Sequence, residues 1–280
     1  MKPNLKAVLF SLLVLSLITV LVYSCKKEEP DTESQSSVDN SIAEGEFSRI
    51  FPEMNHIAVG DSGVQRWIFN SHPNSACPDY WVDSADAVSF PVTLWLSYGY
   101  DSDGDSIYET GCPSNDGKMR KGMIKAVFDA PWNSPGSSVT MTLKNYYVNG
   151  IKFEGTISVT RSSNSFTHSV SNGKASTGSW TILWNSSRTL TSFMGDTATI
   201  NDDYCDISGS ASGTDRKGRN FSVNISTPLR RKMGCIWIVS GVQTMTPDGL
   251  KERTIDFGNG TCDNKATLII DGNHFEFDLE

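Results

Sequence analysis

Val139, Met141 and Leu143 alternate with polar residues, an Asn149-Gly150 pair follows, and Ile151, Phe153, Gly155, Ile157 and Val159 resume the alternation. A period of two puts apolar residues on one face of a strand, and Asn-Gly supplies the positive backbone dihedrals of a tight hairpin. Register constrains the loop further. A two-residue loop sets Leu143 against Thr156 and Met141 against Ser158. A three-residue loop, Val148-Asn149-Gly150, sets Met141 against Ile157 and Val139 against Val159. A slip of one residue turns every side chain to the other face, so the three-residue loop is expected.

The pattern recurs from Trp67 to the C-terminus. Phe166, His168 and Val170 lead to Asn172-Gly173, and Trp180, Ile182 and Trp184 open the next strand. Residues 207–211 and 221–225 flank the turn Asp215-Arg216-Lys217-Gly218. Leu268 and Ile270 meet Phe275, Phe277 and Leu279 across Gly272-Asn273. Hairpins this close, with no βαβ pattern, predict an all-β domain. It is expected as a mostly antiparallel meander, either a sandwich or a curved open sheet or partial barrel. Ahead of it, Ala43, Phe47, Ile50, Met54 and Ile57 recur at steps of four, three, four and three, one face of a helix. Residues 38–51 are read as this N-terminal helix. Pro52 has no N–H to donate, so a break there and a second short helix are expected.

Residues 1–24 read as a targeting segment: Lys2 and Lys6, then an apolar run over 7–22 that is short for a membrane span. The run stops at Cys25, which resembles the lipobox of bacterial lipoproteins. The resemblance implies cleavage before Cys25, with a diacylglyceryl thioether and a palmitate-type N-acyl chain on it; several chains anchor a protein stably. Residues 25–36 are polar and charged and read as a flexible tether. Glu28 and Glu29, so soon after Cys25, resemble the export signal of Bacteroidetes surface lipoproteins. That implies the outer face of the outer membrane, with the periplasmic face as the alternative. Residues 37–280 are then the β-rich domain with its helix. The ending over 253–266 also resembles uncharacterised Bacteroidetes lipoproteins, a class that implies no activity.

Loss of Lys2 and Lys6 takes the net charge from −8 to −10. That argues against nucleic acid as a partner, which calls for a basic stripe, and against docking of the protein surface on anionic lipid. Membrane association is expected through the lipid anchor alone.

Besides Cys25 there are five cysteines, and four fall into two similar settings. Cys77 and Cys112 enclose residues 94–99 (LWLSYG) and are followed by Asn115-Asp116 and Lys118. Cys235 and Cys262 enclose 254–258 (TIDFG) and are followed by Asp263-Asn264-Lys265. This echo predicts bridges Cys77–Cys112 and Cys235–Cys262. Cys205 is left over and reads as a buried small apolar residue rather than a reactive thiol.

Asp101, Asp103, Asp105 and Glu109 lie on a glycine-containing loop, and alternating carboxylates there suit calcium. The spacing resembles thrombospondin-type calcium loops; a solvated acidic hairpin tip is the alternative. Catalytic patterns are sparse. His56, His72, His168 and His274 are scattered, and residues 209–213 (GSASG) centre on Ala211, not on a nucleophilic serine. Trp132 is a candidate for stacking on a sugar, though packing is the commoner use of such a residue. Arg230-Arg231-Lys232 is a candidate anion site or a solvated connection.

Three functions are compatible with these features. The first is a non-enzymatic envelope lipoprotein with a binding or structural role. The second is a calcium-dependent glycan-binding module of a nutrient-uptake system. The third is a hydrolase whose site is assembled from residues distant in sequence.

Overall fold

The structure is a computed structural model that describes residues 31–59, 77–83, 89–101, 108–114, 116–193, 203–232, 234–235 and 237–279. The chain divides into compact units Met1–Thr32 and Glu33–Glu280, and the helix and all the strands belong to the second. Among the described residues one helix, α1 (Gln35–Val59), precedes the strands β1 (Asp79–Val82), β2 (Val92–Tyr98), β3 (Cys112–Pro113), β4 (Met119–Phe128), β5 (Ser138–Val148), β6 (Ile151–Arg161) and β7 (Ser165–Ser176). Then come β8 (Thr181–Phe193), β9 (Tyr204–Thr214), β10 (Asn220–Lys232), β11 (Ser240–Pro247), β12 (Arg253–Asn259), β13 (Lys265–Ile270) and β14 (Asn273–Asp278).

All strands belong to one antiparallel sheet in chain order from β1 to β14, except that β3 pairs only with β4. The sheet is open and does not close into a barrel, so the expectation of an all-β meander with an N-terminal helix holds in its open-sheet form.

The β5–β6 hairpin refines the register argument. Val148 pairs with Ile151, so the loop is the two residues Asn149 and Gly150, with φ of 46° and 83°, not the expected three. Met141 nevertheless faces Ile157, and Val139 faces Val159, as the alternation demands. A bulge between Thr142 and Tyr146 supplies the missing residue of offset. Asn172-Gly173 is likewise a bulge within β7, not the expected turn. The chain reverses later, where Thr177 N donates to the Trp180 carbonyl at 3.0 Å. The last hairpin turns at Asp271-Gly272, one residue before the expected pair, with Ile270 facing Asn273. The turn over 215–218 forms as expected.

These bulges align into a crease. Register shifts recur on successive pairs from β4–β5 to β7–β8. The residues there stand too close for side chains. A Cβ on Gly122 would lie 2.1 Å from the Asn145 carbonyl oxygen, and one on Gly173 would lie 2.4 Å from that of Trp184. Aligned bulges bend a sheet and increase its twist.

Helix α1 lies on the inner face of this bent sheet and crosses it against chain order. The Glu33 carbonyl just before it accepts from Arg253 of β12, and Ser37 reaches Met245 of β11. Further along, Asn40 meets Trp184 of β8, and Glu53 meets Tyr98 of β2. Ten strands from β2 to β12 span about 43 Å and a 25-residue helix about 37 Å, so helix length suits sheet width. Ala43, Phe47, Ile50, Phe51 and Met54 are fully buried. Val38, Ser41, Gly45 and Ser48 form a narrow exposed stripe.

The expected break at Pro52 is absent; the helix continues through it to Val59. An interior proline forfeits one hydrogen bond, here to the Ser48 carbonyl, and costs about 3 kcal/mol. The turn beyond it is held from outside. Tyr98 donates to Glu53 at 2.6 Å, Trp132 Nε1 donates to Asn55 at 2.6 Å, and Met54 is fully buried.

Candidate functional site

Two regions concentrate chemistry-bearing side chains: the helix–sheet interface and the outer face of β2 to β7. At the interface, α1 contributes polar residues that are themselves buried, among them Asp39, Asn40, Glu46 and Asn55. Each meets an inward-pointing partner. Arg120 Nη2 of β4 donates to Glu46 at 2.8 Å and to Asp116 at 2.7 Å, and the Tyr146 hydroxyl donates to Glu46 at 2.6 Å. Arg49 bridges Glu46 and Glu53 and also donates to Tyr146. Arg188 pairs with Glu44 at 2.6 Å and Arg216 with Asp39 at 2.6 Å. The turn before β10 is organised by Asp215. One of its oxygens accepts from the amides of Lys217 and Arg219, and the other accepts from Ser36 at 2.7 Å.

The electrostatics follow from this pairing. Burial alone would raise the Glu46 carboxyl, but the Arg49 charge, the Arg120 contact and the Tyr146 hydroxyl together hold it at about 2. Asp116 resists its own desolvation through Arg120 and also lies at about 2. Burial pushes the Tyr98 hydroxyl well above its ordinary range, and Glu53 adds to the rise. His168 is buried opposite Arg188, and desolvation with that charge lowers it to about 4. Carboxylates held ionised between fixed cations, and a neutral histidine, make a clamp between helix and sheet; none is poised near neutral pH for proton transfer.

The sites expected from sequence fare differently. Both cysteine pairs lie at bonding distance, with Cα separations of 6.0 Å for Cys77–Cys112 and 5.9 Å for Cys235–Cys262. Each bridge closes a stretch of chain that encloses an adjacent strand pair, β1–β2 in one case, with Cys112 opening β3, and β11–β12 in the other, which is the physical content of the echo. Cys205 is a buried free thiol, which desolvation and then Asp206 push up to about 12. Trp132 is not a sugar platform. It is 7% exposed, hydrogen-bonded to Asn55 and packed on Phe51, Phe128 and Phe166. The basic cluster is internally engaged. Arg230 pairs with Asp206 at 2.7 Å, Arg231 donates to the Cys235 carbonyl, and Lys232 donates to that of Gly260.

Asp101 and Glu109 flank the Tyr100–Thr110 bridge at the mouth of the acidic loop, while Asp103 and Asp105 lie outside the described residues. Among the described residues no three His, Cys, Asp or Glu side chains gather as a metal site. Cys25 and His72 also lie outside the described residues, and His274 is exposed on β14. No described helix is long and apolar enough to cross a membrane.

The second region was not legible from overall acidity. Residues 117–193 carry nine basic residues and only Asp129 and Glu154 as acids, a net +7 within an acidic chain. Arg120 and Arg188 turn inward to the helix. Lys121, Lys125, Lys144, Lys152 and Lys174 occupy the outward positions of β4 to β7. Lys125 sits over the ring of Trp95, 5.5 Å from its centroid, and Trp81 stacks on Trp95 at 6.1 Å. Lys121 sits over Tyr147. Glu154 is shared by Lys152 and Lys174 at 3.0 and 3.1 Å. A depression of about 410 Å³ opens here, lined by Trp95, Met123, Leu143, Lys144, Asn145, Lys152 and Glu154. A segmental charge count over residues 117–193, combined with strand parity, would have revealed this face.

No family model matches the chain, no curated protein matches its sequence, and no solved structure matches it.

Proposed function

We propose that this chain is a cell-envelope lipoprotein, anchored to the outer membrane through Cys25 and facing the cell surface, that acts by binding rather than by catalysis. Address rests on the resemblance at Cys25, the acidic residues after it and two disulfides suited to an oxidising compartment. Mode of action rests on one observation. Helix α1 occupies the inner face of the sheet and its buried charges are paired there, so the face left for a partner is the outer one. Replacing Cys25 by Ser should move the full chain from the membrane to the soluble fraction; undiminished membrane retention overturns the anchor.

The calcium-dependent reading draws on the convergence of Asp101 and Glu109 at one loop mouth. Calcium titration of the full chain, read by calorimetry, separates it from calcium-independent binding.

A further inference from the structure

The outer face of β4 to β7 is a basic field on an acidic protein. It holds five lysines, and Glu154 is the one acid within those strands. It ends at β1, where Asp79 and Asp83 flank Trp81. Four strands set side by side span about 14 Å, so the field is wider than a single small anion. Its depression is bounded by an indole, Trp95, and floored by Met123. Hydroxyl and amide side chains run through it in register: Thr142 faces Thr156, Thr156 faces Ser171, and Asn172 follows at the bulge.

We infer that this face binds an acidic polysaccharide, a polymer bearing carboxylates or sulfates, laid across β4 to β7 with its charges on Lys121, Lys144 and Lys152. The inference rests on the extracytoplasmic placement proposed above, and three observations select this ligand class. Every cation of the field is a lysine. Arginine is the residue suited to bidentate phosphate and nucleic-acid recognition, whereas lysine presents a compact, hydrated point charge. The field mixes lysines with aromatic rings (Trp95, Tyr147) and hydroxyls, which serves a ligand with both ring faces and hydroxyl groups. Its shallow, strand-crossing shape suits an extended chain, while small ligands favour burial in a cavity. Charge complementarity across the face then steers the polymer to it.

The test uses the full chain in detergent against immobilised polygalacturonate, chondroitin sulfate, neutral dextran and oligodeoxythymidylate. A triple variant, Lys121→Ser/Lys144→Ser/Lys152→Ser, runs in parallel; all three positions are on the outer face, and its thermal melt checks folding. The expected result is binding to one or both acidic polysaccharides and none to dextran. Binding should weaken about tenfold or more in the variant and as salt rises from about 0.05 to about 0.2 M. Equal binding to dextran, indifference to the triple variant, or preference for the oligonucleotide overturns the ligand class. So does absence of all binding by a chain that Cys25 still holds in membranes, and that result leaves the lipoprotein reading standing. Membrane retention of Cys25→Ser overturns the placement on its own, whatever the polysaccharide arms show.

Discussion

Glu46 is contacted by Arg49, Arg120 and Tyr146, from its own helix and from two strands. Removing one partner of a buried ion pair strands the other, at a cost of about 3–5 kcal/mol. Glu46→Ala should therefore lower the unfolding free energy by about that much, read from urea titration, because Arg120 would keep only the half-exposed Asp116. The same residue sets an acid limit. Its carboxyl titrates near 4.5 when unpaired and at about 2 in the fold. Its contribution is thus complete above about pH 4.5 and is lost as pH falls toward 2; Asp116 adds in the same direction. Melting temperature followed across that window should fall more steeply for the native chain than for Glu46→Gln. Nothing in the sequence marked these residues as buried. Glu46 and Arg120 are 74 positions apart, and charged residues on a helix or strand read as solvent-facing until the sheet closes over them.

At the level of elements, the crease across β4 to β8 does more than curve the sheet. Gly173 sits where a Cβ would lie 2.4 Å from the Trp184 carbonyl oxygen, 3.1 Å from Val170 and 3.2 Å from the Phe47 ring of α1. Gly173→Ala must push apart β8 and the helix together, so a loss of about 2 kcal/mol or more is expected. Gly178→Ala, at a turn with nothing within 4 Å, should leave the thermal melt unchanged. Much of this architecture is legible as pattern. The helical face at Ala43, Phe47, Ile50 and Met54 is buried, and the strand pairs Met141–Ile157 and Val139–Val159 are those that alternation selects. What pattern does not resolve is whether Asn-Gly turns a chain or merely bulges it. Both need a positive φ, and only cross-strand context separates Asn149-Gly150 from Asn172-Gly173. Pro52 is the reverse case, where tertiary contacts outweigh a strong local breaker.

For the whole molecule, the two disulfides sit near opposite ends of the strand order, around β1–β2 and β11–β12, outside the central strands that α1 contacts most closely. Loops of this length carry about 3–4 kcal/mol of chain entropy each. Full reduction should lower the melting temperature clearly, and each single Cys→Ser pair should account for about half of the drop; an unchanged melt on reduction would show that the bridges do not hold those ends. The central strands depend on the helix instead, and the edges stay short: β1 has four residues, and β14 has six with acids at Glu276 and Asp278.

The crossing of α1 has a consequence for the order in which the molecule can assemble. Every main strand pair from β4 onward joins neighbours in sequence, so each hairpin can form as soon as its second strand is made. The helix is the opposite. It is synthesised before any strand, yet the contacts at its N-terminal end reach 179 to 220 residues ahead, to Asp215, Met245 and Arg253. The N-terminal end of the helix must therefore wait until nearly the whole sheet exists, while its C-terminal half meets Tyr98, Arg120 and Trp132 as soon as the first strands are made. Docking of the first element thus runs backwards along it, from Glu53 and Asn55 toward Ser37, and its first turns seat only when the last strands arrive.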